Sequence, residues 1–484
     1  MTAKEDKDDL RSSPSELQSC ARRELAMKRG LMLLLALTVV ASLAFAETSA
    51  QVEYSISGSA TSTVGYDLDG KTFGIKNETS ADLTITFVEG TEEKGGDGPV
   101  YGWIKLEGFS AKAGNNIVEE DVVLYDADGN DITEDVKSVL ASSGVNVDSI
   151  KAKSDFVITP PSITAKLMMG PAYLLITTKD TDVNKASLEP DYIKEEAFGG
   201  SDVSAVSLDE DDNTLTFGVD VDMVSASVTL GSNDDWNGSN ENAGLISGEV
   251  SVNVAPVSLG VKTTGVFGKG GKSIGEDANN PLILGADLAV SVDASGISIT
   301  PAVAYDFIKK GDESAQEVKG GVSVSYSGLS AGVDTIYVLP AEKESRLLVK
   351  GSVSEPADGG VVPVAGFGLK AEYGMSKNDN TKAEDSAMAL TVDLDAALGV
   401  ARPYAGVIYE QDLGDDATTD DAKTDLMIKV GTDITVVPNT TFTLQYASGD
   451  LTHEESVANY TADVYTNDSG ARLGEITFAI KISY

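Results

Sequence analysis

The residues able to do chemistry are few. His453 is the one histidine, and it stands in the polar run Ser448-Gly449-Asp450-Leu451-Thr452-His453-Glu454-Glu455. A serine hydrolase would need it as general base, but a loop setting of this polarity predicts a solvated imidazole. Cys20 is the one cysteine, and it precedes the long apolar run near the amino terminus, so neither a lipid anchor nor a disulfide is expected from it. Without a thiol pair or a second histidine, no zinc or redox centre is expected. The glycines and lysines of GKGGKSIGE (268–276) lack the strand–loop–helix context of a phosphate cradle and read as a loop. Asp126-Ala127-Asp128-Gly129-Asn130-Asp131 offers oxygens at alternate positions, as a calcium loop does. Its glycine comes fourth instead of sixth, however, and Lys137 stands at the twelfth position, so a tight turn is the expectation. No catalytic, cofactor-binding or metal-ligating residue is therefore predicted, and no enzymatic activity.

What remains is carboxylate. The chain has 77 acidic against 36 basic residues, a net charge of −41. Removing residues 1–46 takes seven basic and six acidic side chains and leaves −42. Such an excess argues against nucleic acid or an anionic membrane surface as partner. The clusters Asp209–Asp212, Glu119–Asp121, Asp234–Asp235, Asp415–Asp416 and Asp420–Asp421 fall in connections. They read as solvated loop charge or as acids ringing a channel mouth, where they would favour cations. With 41% hydrophobic residues the chain is too apolar to be a disordered acidic polymer.

The elements that would position these charges are strands. Residues 474–484, GEITFAIKISY, alternate strictly: Ile476, Phe478, Ile480, Ile482 and Tyr484 on one face, Thr477, Ala479, Lys481 and Ser483 on the other. A strand that is apolar toward lipid, polar toward a lumen and aromatic at its end suits the sealing strand of an outer-membrane barrel, and it resembles the sorting signal read by barrel-assembly machinery. The same alternation recurs from residue 200 onward, for example Leu282 to Val292 against Ile297 to Phe307 across Asp293–Gly296, and Val322 to Tyr326 against Leu329 to Val333 across Ser327-Gly328. Val400 to Tyr409 reads as a further strand, although Pro403 cannot donate to a ladder. Connections differ in length: 293–296 and 327–328 are short, while 231–244, 267–281, 374–386 and 411–424 are long and polar. Tyr326, Tyr373, Tyr409, Tyr446 and Tyr484 are placed at strand ends, as an interfacial girdle requires.

At the amino terminus, residues 1–26 are charged and patternless, an upstream extension outside the mature protein. Residues 27–46 read as a signal peptide: Lys28 and Arg29, the apolar run Leu31–Phe45, and a small-x-small cleavage site at Ala44 and Ala46. Residues 47–112 form the first barrel strands, with turn signals at Asp69-Gly70 and Asn77. Residues 113–162 depart from the pattern and read as a small α/β insertion with one helix, Asp131–Ser142. Residues 163–484 supply the remaining barrel, closed by 474–484.

SGSATSTVGYDLDGKTFGIKNETSADLTITF (57–87), YGWIKLEGFSAK (101–112) and ITAKLMMGPAYLLI (163–176) resemble the amino-terminal part of the treponemal major outer sheath protein family, which includes the treponemal repeat proteins. The likeness lies in a strand reaching Gly-Tyr-Asp-Leu, an alternating Leu-Thr-Ile-Thr strand and an aromatic-Ile-Lys-Leu strand. It covers about the first 130 mature residues and the last strand, and it carries over no site. The resemblance implies a spirochaete outer-membrane β-barrel with porin activity and an adhesin role. The expectation is therefore an all-β, transmembrane antiparallel barrel of about 16–20 strands. It would pass small hydrophilic solutes through a polar, acidic, cation-favouring lumen, without a cofactor, as a homotrimer in outer-membrane lipid. The alternative is a surface adhesin or structural sheath protein whose long loops bind host extracellular-matrix or neighbouring proteins.

Overall fold

A computed structural model describes residues 53–69, 71–87, 101–121, 151–159, 162–178, 182–193, 195–198, 203, 212–233, 243–268, 271–277, 279–339, 344–358, 360–362, 364–378, 384–413, 424–452 and 472–484. The signal peptide with Ala44 and Ala46, the helix Asp131–Ser142, the Asp126–Asp131 turn and His453 lie outside them.

The described strands, in chain order, are β1 (Glu53–Asp67), β2 (Thr72–Phe87), β3 (Tyr101–Asp121), β4 (Lys151–Thr159), β5 (Ser162–Met169), β6 (Ala172–Thr177), β7 (Asp212–Val221), β8 (Val224–Asn233), β9 (Ala243–Val254), β10 (Val257–Phe267) and β11 (Leu282–Val290). The second half holds β12 (Val292–Ala294), β13 (Ile297–Lys310), β14 (Glu313–Tyr326), β15 (Leu329–Leu339), β16 (Glu344–Glu355), β17 (Ala365–Asn378), β18 (Glu384–Ala396), β19 (Ala401–Asp412), β20 (Thr424–Val437), β21 (Thr440–Ala447) and β22 (Glu475–Ser483). Every pairing is antiparallel, and β22 returns to β1 from Ser59↔Ser483 to Asp67↔Glu475. The sheet is thus a closed barrel, in which no edge is left to pair with another chain. β4 and β5 both pair with β3, and β11 and β12 both pair with β13, so each couple acts as one stave. The wall has twenty staves.

The interruption between β11 and β12 has a local cause. Pro301 in β13 has no N–H to give, and it sits opposite the gap between β11 and β12, where Ser291 donates its N–H to the Pro256 carbonyl at 2.8 Å instead. Pro403 is accommodated in the same way: it pairs with Thr432 of β20, while the ladder to β18 begins one residue later at Tyr404. Ser327 and Gly328 both have positive φ (48° and 90°), the conformation of a two-residue hairpin turn matched to strand twist.

Three expectations are corrected. Asn77 is not a turn: it lies inside β2 opposite Ser62, because pairing on both sides overrides its local preference. The insertion is narrower than 113–162, since β3 runs on to Asp121 and pairs with β4 through a register shift between Ala113 and Val118. The backbone ladder continues there although side-chain alternation has ceased. Tyr373 and Tyr409 sit several residues inside β17 and β19, not at their ends. With Tyr305 and Tyr337 they form a belt on the outer face, beyond which the strands project. From this belt to Tyr326 at the opposite rim is a band of about nine to eleven residues per strand, the depth of a hydrocarbon core. Within the band the outward residues are apolar and exposed, including Phe217, Val219, Val303, Val322, Val333, Leu369 and Leu390.

The connections are largely sorted by rim. Six of the seven two-residue turns, 170–171, 222–223, 255–256, 295–296, 327–328 and 438–439, lie at the rim that holds Tyr484, and 311–312 lies at the other. The connections 178–211, 268–281, 413–423 and 448–474 belong to that other rim, whereas 88–100 and 356–364 join strands at the rim of Tyr484.

Candidate functional site

The inward face of the wall is polar, and part of the 178–211 connection lies inside it. Residues 182–193 and 195–198 run as a strap along the lumenal face of β9 to β18, anchored at both ends by apolar contacts and between them by carboxylates. At one end Val183 packs among Leu245, Ile283, Ile308 and Ala315. At the other, Ile193, Ala197, Phe198 and Val203 pack on Ile336, Val338, Leu348, Ala387 and Ala389. Burying a side chain such as Phe198 or Ile193 contributes about 1.5–3 kcal/mol. Gly374 makes the second contact possible: a Cβ there would stand 2.6 Å from the Phe198 ring.

Residues 182–193 of the strap have no regular structure, which leaves their N–H groups in need of acceptors, and Glu195–Phe198 forms one short 3-10 turn. The wall supplies the acceptors. Asp306 takes the N–H of Lys185 at 3.1 Å and of Ala186 at 2.5 Å. Glu372 takes those of Asp191 at 2.8 Å, Tyr192 at 3.0 Å and Ile193 at 3.4 Å. Glu317 takes the side-chain amide of Asn184 at 2.9 Å. All three carboxylates are buried, at 0%, 4% and 0% exposure for Asp306, Glu372 and Glu317.

Lysines complete the tether. Lys350 donates to Asp191 at 2.9 Å and to the Glu189 carbonyl at 2.8 Å, and Lys370 reaches Asp191 at 3.2 Å. Burial alone would raise the Asp191 carboxyl, but these two ammonium groups outweigh it and hold the carboxyl below its ordinary range. Lys185 of the strap pairs with Glu249 and with Asp287, the latter at 3.1 Å. Burial works against its charge, and the two carboxylates more than offset it, so its ammonium is held above the ordinary lysine value. Lys262 donates to the carbonyl of Asp182.

The terminal strand lies where closure occurs. Ile476, Phe478 and Ile482 are exposed on the outer face, with Ile480 on the same face, and Tyr484 follows β22 at the short-turn rim. Tyr484 also exchanges backbone hydrogen bonds with Gly58, both at 3.0 Å. At the other rim Asp69 fastens the seam: its Oδ2 accepts the N–H of Arg472 at 3.1 Å, Leu473 at 2.7 Å and Gly474 at 2.9 Å.

Alternation pointed to none of the strap contacts. The signal that could have found them is the set of acids in mid-strand, Asp306, Glu317 and Glu372, which a lumenal wall needs only if they hold something. Of the acids read from the sequence as loop charge, Asp212 opens β7 and Glu119–Asp121 end β3 in register with β4 instead of lying in a connection, and the others lie outside the described residues. Among the described residues no group of three or more acidic, histidine or cysteine side chains is placed to hold a metal ion. No helix there is long and apolar enough to cross a membrane.

No protein-family model and no curated protein matches the chain. Among solved structures it is similar to a BenF-like porin from Pseudomonas fluorescens Pf-5, at 8% identity and a TM-score of 0.44, covering 90% of this chain and 99% of that one. It is also similar to Pseudomonas aeruginosa OpdK with vanillate (8% identity, TM-score 0.45, 89% and 99% covered). A third is Pseudomonas aeruginosa OccK2 in complex with glucuronate (9% identity, TM-score 0.43, 90% and 98% covered). The barrel itself rests on its own strand pairing.

Proposed function

We propose that this chain is an outer-membrane pore for the passive diffusion of small hydrophilic solutes, of the treponemal sheath-protein type that its amino-terminal strands resemble. The observation that carries the reading is the pairing of two faces on one closed wall. The outer face is an apolar band of membrane depth bounded by tyrosines, and the inner face is polar and narrowed by a tethered strap. A barrel is the form in which strands can cross lipid with every backbone group paired. A lumen-lining strap restricts the bore. The acidic excess of the chain supports a preference for cations, with part of the lumenal acid already committed to the strap. The rim of long connections would face outward and the rim of short turns the periplasm.

The test is single-channel recording in a planar bilayer with the chain from Glu47 onward, folded in detergent, under a potassium chloride gradient. Discrete steps that scale with salt, and a reversal potential on the cation side, are expected. A bilayer that stays silent would overturn the pore, and an anion-side reversal potential would overturn the preference.

A further inference from the structure

Between the strap and the wall lies an alcove of about 410 Å³, lined by strap residues 182–187 and by β9 to β15. That volume falls in the range of small-ligand pockets, about 300–1,000 Å³. Its floor is made of small residues, Ala302, Ala304 and Gly321, which leave the space to the solute.

The charges around it differ in one respect. On the strap side Lys185 sits between Glu249 and Asp287, and Lys262 donates to the Asp182 carbonyl. On the opposite wall Lys319 of β14 and Asp334 of β15 have neither an ion pair nor a side-chain hydrogen bond among the described residues, although both line the alcove. Asp334 stands in register with Lys350, but that lysine is turned to Asp191 and Glu372 of the strap tether. A Cβ at Gly321 would collide with the Asp334 carboxylate, so the glycine is what lets this acid lie against the wall.

Lys319 and Asp334 point to the same face from adjacent strands, one register step apart, since Lys319 faces Ile336 and Gly321 faces Asp334. Diagonal neighbours of this kind are about 7–8 Å apart at the backbone, within reach of a long side chain, yet Lys319 and Asp334 form no ion pair with each other. A small molecule carrying both charges can span the gap, its carboxylate on the Lys319 ammonium and its ammonium on the Asp334 carboxylate.

We propose that this alcove is a lumenal subsite for small zwitterions, α-amino acids or very short peptides, with Lys319 and Asp334 as its two recognition groups. The proposal rests on the pore reading above. Binding there would be weak, as conduction requires of any station along a channel.

Proteoliposome swelling tests it, with L-serine as the zwitterion and erythritol as a neutral solute of similar size. Serine is expected to enter severalfold faster than erythritol. Lys319→Gln and Asp334→Asn should each bring serine down to the erythritol rate and leave erythritol unchanged. Both variants keep the size and polarity of a lumen-facing side chain, so the fold should persist, and the unchanged erythritol rate reports that it has. If erythritol enters but serine has no advantage, or keeps it in both variants, the subsite falls while the pore stands. If neither solute enters, both fall.

Discussion

The wall from β9 to β18 and the wall from β19 through the seam to β3 face one lumen and obey one alternation, yet they use their polar side chains differently. In the first arc, acids in mid-strand reach inward and hold another segment: Asp306 and Glu372 take strap backbone N–H groups, and Glu317 takes the Asn184 side-chain amide. In the second, polar side chains pair within the wall: Tyr404 donates to Gln445 at 2.9 Å, Thr443 to Asp433 at 2.6 Å, and Ser59 meets Ser80 at 3.0 Å. The lesson is that a lumenal side chain either stiffens the barrel or shapes the bore. A change in the first arc should alter conductance, and a change in the second should alter stability alone.

The sharpest way to break that division is Glu372→Ala. It removes the acceptor of three strap N–H groups and uncovers Lys350, and losing one partner of a buried charged contact costs about 3–5 kcal/mol. The expected outcome is a noisy current with added sub-levels, in a barrel that still resists detergent unfolding as before. Gly374→Leu should act in the same direction more mildly. Its side chain would meet the Phe198 ring, and overpacking of this kind costs about 1–3 kcal/mol, so the strap end should lift and the mean conductance rise. Asp69→Ala is the counterpart in the second arc. Three N–H groups at the seam lose their acceptor, a loss comparable to a helix cap at about 1 kcal/mol. The heat-modifiability transition on gels should fall by a few degrees while single-channel conductance stays the same.

The smallest effect is one of pH. The Asp191 carboxyl is held below its ordinary value by Lys350 and Lys370. A group depressed in the folded state contributes stability above its unfolded pKa, about 3.9, and that contribution is lost as pH falls through the lower folded value. The strap tether should therefore persist through mild acid and loosen only below about pH 4. Open-channel noise recorded from pH 7 down to pH 3 would show it, and noise that rises already near pH 6 would speak against this carboxyl.

The barrel was legible because its constraint is periodic. Val322, Val324 and Tyr326 against Leu329, Ala331 and Val333, across Ser327-Gly328, can be read from residue types, since each must face lipid or lumen in turn. The contrast in connection length was legible for the same reason. The strap was not. DVNKASLEPDYIKEEAF has no period, and its contacts with Asp306 and Glu372 span more than a hundred residues of chain. Val183, Ile193 and Phe198 are apolar residues scattered through a polar connection, and only the wall opposite, with Gly374 left bare for Phe198, gives them a purpose. Asn77 misled because its preference for turns is weaker than a ladder formed on both of its sides. Alternation in the sequence stops near Tyr373 and Tyr409, whereas β17 and β19 run on to Asn378 and Asp412, so the tyrosine belt lies inside the strands.

On the proposed function, the strap narrows a water-filled bore. The direct measurement is the single-channel conductance of the chain with residues 182–198 replaced by a short Gly-Ser linker, recorded beside the unaltered chain in the same bilayer and salt. The claim predicts discrete steps in both, with the larger step in the variant. Steps of equal size would contradict it, because a segment whose removal leaves the current unchanged does not set the bore.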